Sequence, residues 1–241
     1  WAGLAVDLGG FVLIRVLTDE GVTGVGEATP LPDWGGGHGR HAGETLKTVC
    51  AVVTDVFTPL LKGRDPTRIE EIRIAMAQSL KGNSYARNAV EIALYDILGK
   101  VAGLPLYRLL CGACRESVPY AHMVGLMPQK EGLEEALGAL EDGVRYLQIK
   151  GGVDHERDVA LVADIRNKNA EVIIRVDANQ GYGTPKNAIS LIRRLEQAGA
   201  NIIEQPVAGH CEMAEVRAAV DVPIMADESC WDAREAMEVV S

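Results

Sequence analysis

Short apolar runs alternate with amphipathic stretches through the second half of the chain. The runs lack a polar alternation, which is typical of parallel strands that are covered by helices on both faces. We predict strands at residues 118–124, 146–150, 172–177, 201–204 and 223–227. A stretch with helical periodicity follows each of them, at residues 131–142, 155–169, 185–198, 211–220 and 231–240. The pattern predicts five successive βα units.

The first half of the chain has a different pattern. An alternation of apolar and polar residues predicts a β-hairpin, and the stretches after it have helical periodicity. The hairpin strands are expected at residues 11–17 and 22–27, and the helices at residues 45–61, 69–79 and 85–102. We therefore expect a small α+β domain over residues 1–112, incomplete at its N-terminus, and a second domain over residues 113–241.

Two architectures accommodate such βα units, namely a doubly wound sheet and a (β/α)8 barrel. The second to fifth predicted strands end in Lys150, Asp177, Glu204 and Asp227. In a barrel these side chains would converge on one mouth, whereas in an open sheet they would lie along a line. The pattern favours an α/β fold with a (β/α)8-type TIM barrel, of which the chain holds strands one to five.

Composition narrows the class of protein. An apolar content of 47% in 241 residues is enough for a sizeable core, and the net charge of −10 argues against a nucleic-acid partner. No apolar run is long enough to span a membrane, and we expect no signal peptide because a basic start and a cleavage site are lacking. The five cysteines are scattered, which suggests a reducing compartment. We expect a cytoplasmic protein without a membrane or nucleic-acid partner.

The three carboxylates at the strand ends predict a metal site. Glu204 follows Asp177 by 27 residues and Asp227 follows Glu204 by 23, which is about one βα unit each time. Converging carboxylates repel one another, and a hard cation with oxygen ligands removes the conflict. Mg²⁺ is the expected ion, and Mn²⁺ is an alternative.

Lys150 is the predicted proton-transferring residue. A lysine that lies beside a divalent cation and is partly desolvated loses its proton more readily, so it can act as a base. The cation would bind a substrate carboxylate and stabilise the enediolate that forms when the adjacent carbon loses its proton. By strand alternation Arg175 and Asn179 share the face of Asp177, so we expect them in contact with the ligands or the substrate.

Other interpretations of the same residues remain. An acidic residue at a strand end often caps the following helix. Lys150 could instead be the Schiff-base lysine of an aldolase barrel, although such a site has no need of three carboxylates.

Four motifs carry a resemblance to a known family, and they are LQIK at 147–150, VDANQ at 176–180, IEQP at 203–206 and ADES at 226–229. On these motifs the chain resembles the mandelate racemase and muconate lactonizing enzymes of the enolase superfamily. The helical run ARNAVEIALYDILGK at 86–100 and the hairpin run GVGE at 24–27 are similar to further motifs of that family.

The resemblance implies a capping domain over a barrel, one essential Mg²⁺ and removal of the proton α to a carboxylate. An aspartate at the end of strand five is typical of the muconate lactonizing subgroup, which ends strand two with two lysines. Here Gln148 stands at the first of those positions, and Lys150 keeps the catalytic one. The family's second catalytic lysine is expected on strand six, beyond Ser241. We therefore expect an incomplete chain that lacks strands six to eight.

Specificity in this family comes largely from loops of the capping domain. The loop at residues 30–43 contains Trp34 and His38, which we expect near the substrate together with Gln148 and Glu228. The alternative for this glycine-rich loop is a surface segment without contacts.

We expect a racemase, epimerase or cycloisomerase that acts on an amino-acid derivative or another small carboxylate. An acid-sugar or hydroxy-acid dehydratase on the same scaffold is the alternative, and a non-catalytic protein that keeps the fold is the alternative from another class. We also expect a homo-oligomer.

Overall fold

The computed structural model describes residues 10–32 and 43–240. The chain divides into two compact units, with the division between residues 116 and 117. We call residues 10–32 and 43–116 the N-terminal unit and residues 117–240 the barrel unit. The domain boundary expected from the sequence lies four residues earlier, between 112 and 113. Within the described residues, no helix combines the length and the apolar character that a membrane crossing requires.

The N-terminal unit contains a β-hairpin and helices, as the sequence predicts. Strands β1 (Val12–Leu17) and β2 (Thr23–Ala28) are antiparallel, with Val12 opposite Ala28. The helices are α1 (Leu46–Ala51), α2 (Thr58–Leu61), α3 (Ile69–Ser79), α4 (Ser84–Ala102) and α5 (Leu106–Leu109).

The helix predicted at residues 45–61 is not a single α-helix, because a π-helical stretch, Val52–Phe57, joins α1 to α2. Pro59 follows this stretch directly after Thr58 and has no N–H to donate to the carbonyl four residues earlier. The backbone N–H of Thr58 donates instead to the carbonyl of Val53, five residues before it.

Helix α4 packs directly on the hairpin. Its buried face consists of Ala86, Ala89, Val90, Ala93, Leu94 and Ile97. A Cβ added at Gly26 would lie 1.8 Å from the carbonyl oxygen of Ala89, and one at Gly24 would lie 2.0 Å from that of Ala93. Only glycine therefore allows the strand and the helix to approach this closely.

The barrel unit alternates strands and helices, which confirms the five predicted βα units. The strands are β3 (Ala121–Val124), β4 (Tyr146–Lys150), β5 (Ile173–Asp177), β6 (Ile202–Glu204) and β7 (Ile224–Met225). The helices are α6 (Gln129–Glu141), α7 (His155–Lys168), α8 (Pro185–Ala198), α9 (His210–Ala219) and α10 (Ala233–Val240). Strand β4 has the predicted bounds, and the other four strands are shorter than predicted. Strand β3 begins three residues after 118, β5 and β6 each begin one residue late, and β7 begins one residue after 223 and ends two residues before 227.

The strand order decides between the two predicted architectures. The five strands are parallel and lie in the order β3-β4-β5-β6-β7, so each adds to the same side of the one before it. A doubly wound sheet reverses its strand order at a switch point, and the described strands contain no reversal. The fold is that of a partial (β/α) barrel that follows an N-terminal α+β domain, as predicted.

Side-chain alternation separates the core from the site. Leu147, Ile149, Ile174, Val176 and Ile203 are almost fully buried in one hydrophobic cluster with apolar residues of the surrounding helices. The alternate positions of the same strands include Gln148, Lys150, Arg175, Asp177 and Glu204. One face of the sheet is thus the apolar core, and the other carries the chemistry.

Candidate functional site

Three of the predicted site residues form one row across the sheet. Lys150 pairs in register with Asp177, and Asp177 pairs with Glu204. Each is the last residue of its strand, so the row follows the carboxyl edge of the sheet. The Lys150 Nζ lies 2.5 Å from the Asp177 Oδ2 and 3.1 Å from the Asn179 Oδ1. The ammonium is therefore held by a carboxylate that is itself almost fully buried.

Gln148 and Arg175 lie one alternation below this row and are themselves register partners. The Gln148 Nε2 donates to the Asp177 Oδ2 at 3.0 Å and to the Glu204 Oε2 at 3.4 Å. The Arg175 Nε lies 3.0 Å from the same Glu204 oxygen. Gln148 thus bridges two of the predicted ligands, and Arg175 pairs with one of them.

Asp227 lies in the turn after β7 rather than in the strand, contrary to the sequence prediction. The strand ends early because the Asp227 N–H donates to the Gln205 side-chain Oε1 at 2.8 Å instead of to a neighbouring strand. Within the described residues, the half-buried Asp227 carboxylate has no hydrogen-bond or ion-pair partner. Burial raises the pKa of the Asp227 carboxyl, and the negative charges of Glu228 and Asp177 add to the rise.

The pKa of the Glu204 carboxyl is raised well above its ordinary value. Burial raises its pKa to about 7, and the Asp177 charge contributes further, while the Arg175 guanidinium opposes the rise. The two cations at the site therefore leave part of the negative charge of the carboxylates uncompensated.

Two of the predicted cation ligands are engaged with other side chains. Among residues 10–32 and 43–240, no three His, Cys, Asp or Glu side chains are arranged to hold an ion as they stand. Asp177 and Glu204 are instead paired with Lys150 and Arg175. The chemistry of the set nevertheless fits Mg²⁺, because three carboxylates with excess negative charge meet at one edge of the sheet.

Asn179 reaches the site in a different way from the one predicted. It does not continue strand β5, since the strand ends at Asp177 and Asn179 has a φ of 41° in the following turn. Its side chain accepts from Lys150 and donates to the Glu228 Oε1 at 2.9 Å. The other oxygen of Glu228 is buried and has no hydrogen-bond partner in the described part of the chain.

Family models match both parts of the chain. The N-terminal domain model of mandelate racemase / muconate lactonizing enzyme matches residues 3–111, and the model described as enolase C-terminal domain-like matches residues 131–241. The chain belongs to the mandelate racemase and muconate lactonizing enzyme family of the enolase superfamily. Its relatives in this family carry the names of isomerases.

Three relatives illustrate the similarity. An N-succinyl-L-Arg/Lys racemase of Bacillus cereus is 30% identical over 95% of this chain and 61% of its own length. A muconate cycloisomerase 1 of Rhodococcus opacus is 34% identical over 95% of this chain and 61% of its own length. The crystal structure of a dipeptide epimerase from Enterococcus faecalis V583, complexed with Mg and the dipeptide L-Leu-L-Tyr, superposes with a TM-score of 0.86 and 32% identity over 95% of this chain and 63% of that one.

The chain spans about three fifths of the length of these family members. The matches cover 95% of this chain and therefore include residues of both units. The similarity therefore extends to the strands that carry Lys150, Asp177 and Glu204.

Two predicted site residues, Trp34 and His38, lie outside the described residues. Cys111 and Cys114 are exposed and form no disulfide. His122 does not face the carboxyl edge of the sheet, because its Nε2 lies 3.0 Å from the Glu135 carboxylate on helix α6.

Sequence reasoning missed a buried clamp around β4. The Arg157 guanidinium donates to the carbonyl oxygens of Lys150 at 2.7 Å, Gly125 at 3.0 Å and Met127 at 3.0 Å, and it pairs with Asp158 at 3.1 Å. Arg157 thereby ties the carboxyl ends of β3 and β4 together. The available signal was an adjacent Arg-Asp pair at the start of a helix whose other face is apolar.

The hydrogen-bond network of Gln205 was also not predicted from the sequence. Gln205 is fully buried, it directly follows Glu204, and its side chain makes four hydrogen bonds. An amide placed between two predicted ligands was the signal in the sequence.

Proposed function

We propose that the protein to which this chain belongs is a Mg²⁺-dependent isomerase that removes the proton α to the carboxylate of an amino-acid derivative. The observation that supports the proposal most is the row formed by Lys150, Asp177 and Glu204. In this row a basic side chain lies 2.5 Å from a carboxylate on the neighbouring strand, and the second carboxylate lies one strand further on. Racemisation or epimerisation is the preferred reaction, and cycloisomerisation is the alternative within the family.

Each side chain has a defined part in this proposal. Asp177, Glu204 and Asp227 would hold the cation, which when bound supplies positive charge to the substrate carboxylate. Lys150 would take the α proton at its Nζ once that nitrogen is released from Asp177. Asn179, which accepts from the same nitrogen, would keep the lysine oriented during this exchange of partners.

Gln148 and Arg175 would set the charge around the reacting carbon. Gln148 is neutral and bridges Asp177 and Glu204, so it orients these side chains without adding a positive charge. Arg175 supplies one positive charge next to Glu204 and so limits its excess negative charge. We expect both residues to support the ligands rather than to transfer a proton.

The names of the relatives support the substrate class. One relative is a racemase of N-succinyl-L-Arg/Lys, and a similar structure contains a dipeptide. In both compounds an amino acid is joined through an amide bond to a second group. We therefore expect an N-acylated amino acid or a dipeptide as the substrate of this protein.

Deuterium exchange tests the proposal. The full-length protein with Mg²⁺ is incubated in D₂O with N-acyl amino acids, dipeptides and muconate, and proton NMR follows the α-proton signal. We expect exchange with at least one N-acyl amino acid or dipeptide, and a loss of roughly 10³-fold or more in the exchange rate for Lys150→Ala, because general-base catalysis contributes about that much.

Lys130→Ala is the matched control, because Lys130 is an exposed lysine of the same unit whose nearest carboxylate is 3.9 Å away. Equal exchange rates in the Lys150 variant and in this control would contradict the role of Lys150. Exchange that persists in excess chelator would contradict the Mg²⁺ dependence. No exchange with any of the acids would contradict the proposed removal of the α proton. The predicted homo-oligomer is tested on the same sample by light scattering.

A further inference from the structure

Gln205 connects three segments at the carboxyl edge of the sheet. Its backbone N–H donates to the carbonyl of Met225 at 2.9 Å, and its carbonyl accepts from the N–H of Gln180 at 2.7 Å. Its side chain reaches further, to Asp227 and to Val207. The residue therefore joins the end of β6 to the segments that follow β5 and β7.

The side-chain amide of Gln205 uses both of its ends. The Oε1 accepts from the backbone N–H of Asp227 at 2.8 Å, from the N–H of Ser229 at 3.2 Å and from the Ser229 hydroxyl at 3.1 Å. The Nε2 donates to the carbonyl of Val207 at 2.8 Å. Because the amide is completely buried, no water competes for these bonds, and losing them would leave polar groups unpaired.

The backbone of Gln205 is strained in a way that serves this arrangement. Its φ is 39°, in the left-handed region that a residue with a side chain seldom adopts. A residue held in this region needs compensation from its surroundings, and here the hydrogen bonds provide it. The residue with this conformation is thus the same one whose side chain bonds to the turn after β7.

We infer that Gln205 is a positioning residue, whose amide fixes the main chain from which the Asp227 carboxylate projects and so prepares Asp227 to bind a divalent cation. The inference rests on the proposed function. Its basis is that the side-chain Oε1 of Gln205 accepts a hydrogen bond from the Asp227 N–H. Asp227 can therefore lie outside the strand while its main chain stays anchored. A carbonyl of β6 in the same place would keep Asp227 in the ladder.

The test measures Mg²⁺ binding rather than turnover. Gln205→Met keeps the approximate volume of the side chain and removes all four of its hydrogen bonds. We expect the Mg²⁺ dissociation constant of the full-length protein, measured by calorimetry, to rise about 10- to 100-fold, as is usual when a residue that orients a metal ligand is lost. Gln205→Asn serves as the second variant in case Gln205→Met does not fold. It keeps the amide but is too short to span the gap, so we expect a smaller loss of Mg²⁺ affinity, of at least about fivefold.

Val216→Ala is the control for a merely structural role, because Val216 is a fully buried core residue of helix α9 in the same unit. The substitution should lower stability at a helix residue that makes no hydrogen bond to the β7 turn through its side chain, and we expect its Mg²⁺ affinity to equal that of the wild type. Equal affinity in wild type and Gln205→Met, or an equal loss in Val216→Ala, would overturn this inference and leave the proposed function intact. A wild-type protein that binds no Mg²⁺ would overturn both.

Discussion

The N-terminal unit and the barrel unit differ in the polar side chains that they bury. In the described part of the chain, seven of the eight buried polar or charged residues lie in the barrel unit, and these are Arg157, Asp158, Asp177, Glu204, Gln205, Ser229 and Glu235. The remaining one, Glu44, accepts from the backbone N–H groups of Tyr85 and Ala86 at the start of α4. It thus completes a helix terminus.

The difference shows how stability and chemistry are divided within the chain. The N-terminal unit has an apolar interior, and its ion pairs, such as Glu70 with Arg73, are exposed. The barrel unit places its buried charges near the carboxyl edge of the sheet, next to the row that begins at Lys150. Burying charge is costly unless it is paired, so its concentration at one edge indicates a site rather than a scaffold.

The largest effect on stability is expected for Arg157→Ala. The substitution leaves the buried Asp158 carboxylate without its cation and three carbonyl oxygens without a donor. Breaking a buried pair from one side costs about 3–5 kcal/mol, and urea denaturation followed by circular dichroism measures it.

Arg194→Ala is the matched comparison, because Arg194 also pairs with an acid, Glu156, but on the surface. We expect no measurable loss of stability in this variant. If the two arginines gave equal losses, the distinction between buried and exposed charge in the barrel unit would be wrong.

Gly26→Val tests the apolar packing of the N-terminal unit and should cost about 3 kcal/mol, since overpacking of this kind usually costs 1–3 kcal/mol or somewhat more. The added Cβ would lie 1.8 Å from a backbone oxygen of α4, so the hairpin has to move away from the helix. Thermal unfolding measures the loss. Gly138→Ala, whose Cβ would meet no atom within 4 Å, is the control and should not destabilise the protein; a normal unfolding curve for Gly26→Val would contradict the close approach.

The smallest of the three effects depends on pH and comes from Glu204. Its carboxyl has a pKa of about 7 in the folded protein and 4.5 as the reference value for the unfolded chain. The folded state therefore holds the proton more tightly, so this contribution to stability is fully present below pH 4.5 and is lost as the pH rises through 7. Without added divalent cation, we expect a loss of about 2–3 kcal/mol between pH 4.5 and 8.

Glu204→Gln cannot release a proton, so this part of the pH dependence should be absent from its denaturation curves. The difference between wild type and variant isolates Glu204 from the other carboxylates of the protein. Identical pH dependence in the two proteins would show that burial and the neighbouring negative charge do not raise the pKa of Glu204.

The sequence was sufficient to predict the order of the helices and strands and the row of Lys150, Asp177 and Glu204 at the strand ends. Strands β4 and β5 end at Lys150 and Asp177 as predicted, because a local apolar run defines a buried strand and the first polar residue after it defines its end. The row then follows from the geometry of parallel strands. The resemblance to family motifs led to the same residues.

The details of the site depended on contacts between distant segments. Nothing local to Asp227 shows that its N–H donates to a side chain 22 residues earlier, and so the end of β7 was misplaced. Asn179 was expected to share the face of Asp177 by strand alternation, and a periodic pattern does not reveal the left-handed turn in which it lies. The three carbonyls that Arg157 binds come from two strand ends and a loop, which periodicity does not bring together.

The strand order of the barrel unit has a consequence for biosynthesis. Every strand from β4 onwards pairs with the strand that precedes it in the chain. As the polypeptide leaves the ribosome, each new strand therefore finds its hydrogen-bonding partner already made. The sheet can grow in the direction of translation, because none of the strands β4 to β7 depends on a later segment for its first partner.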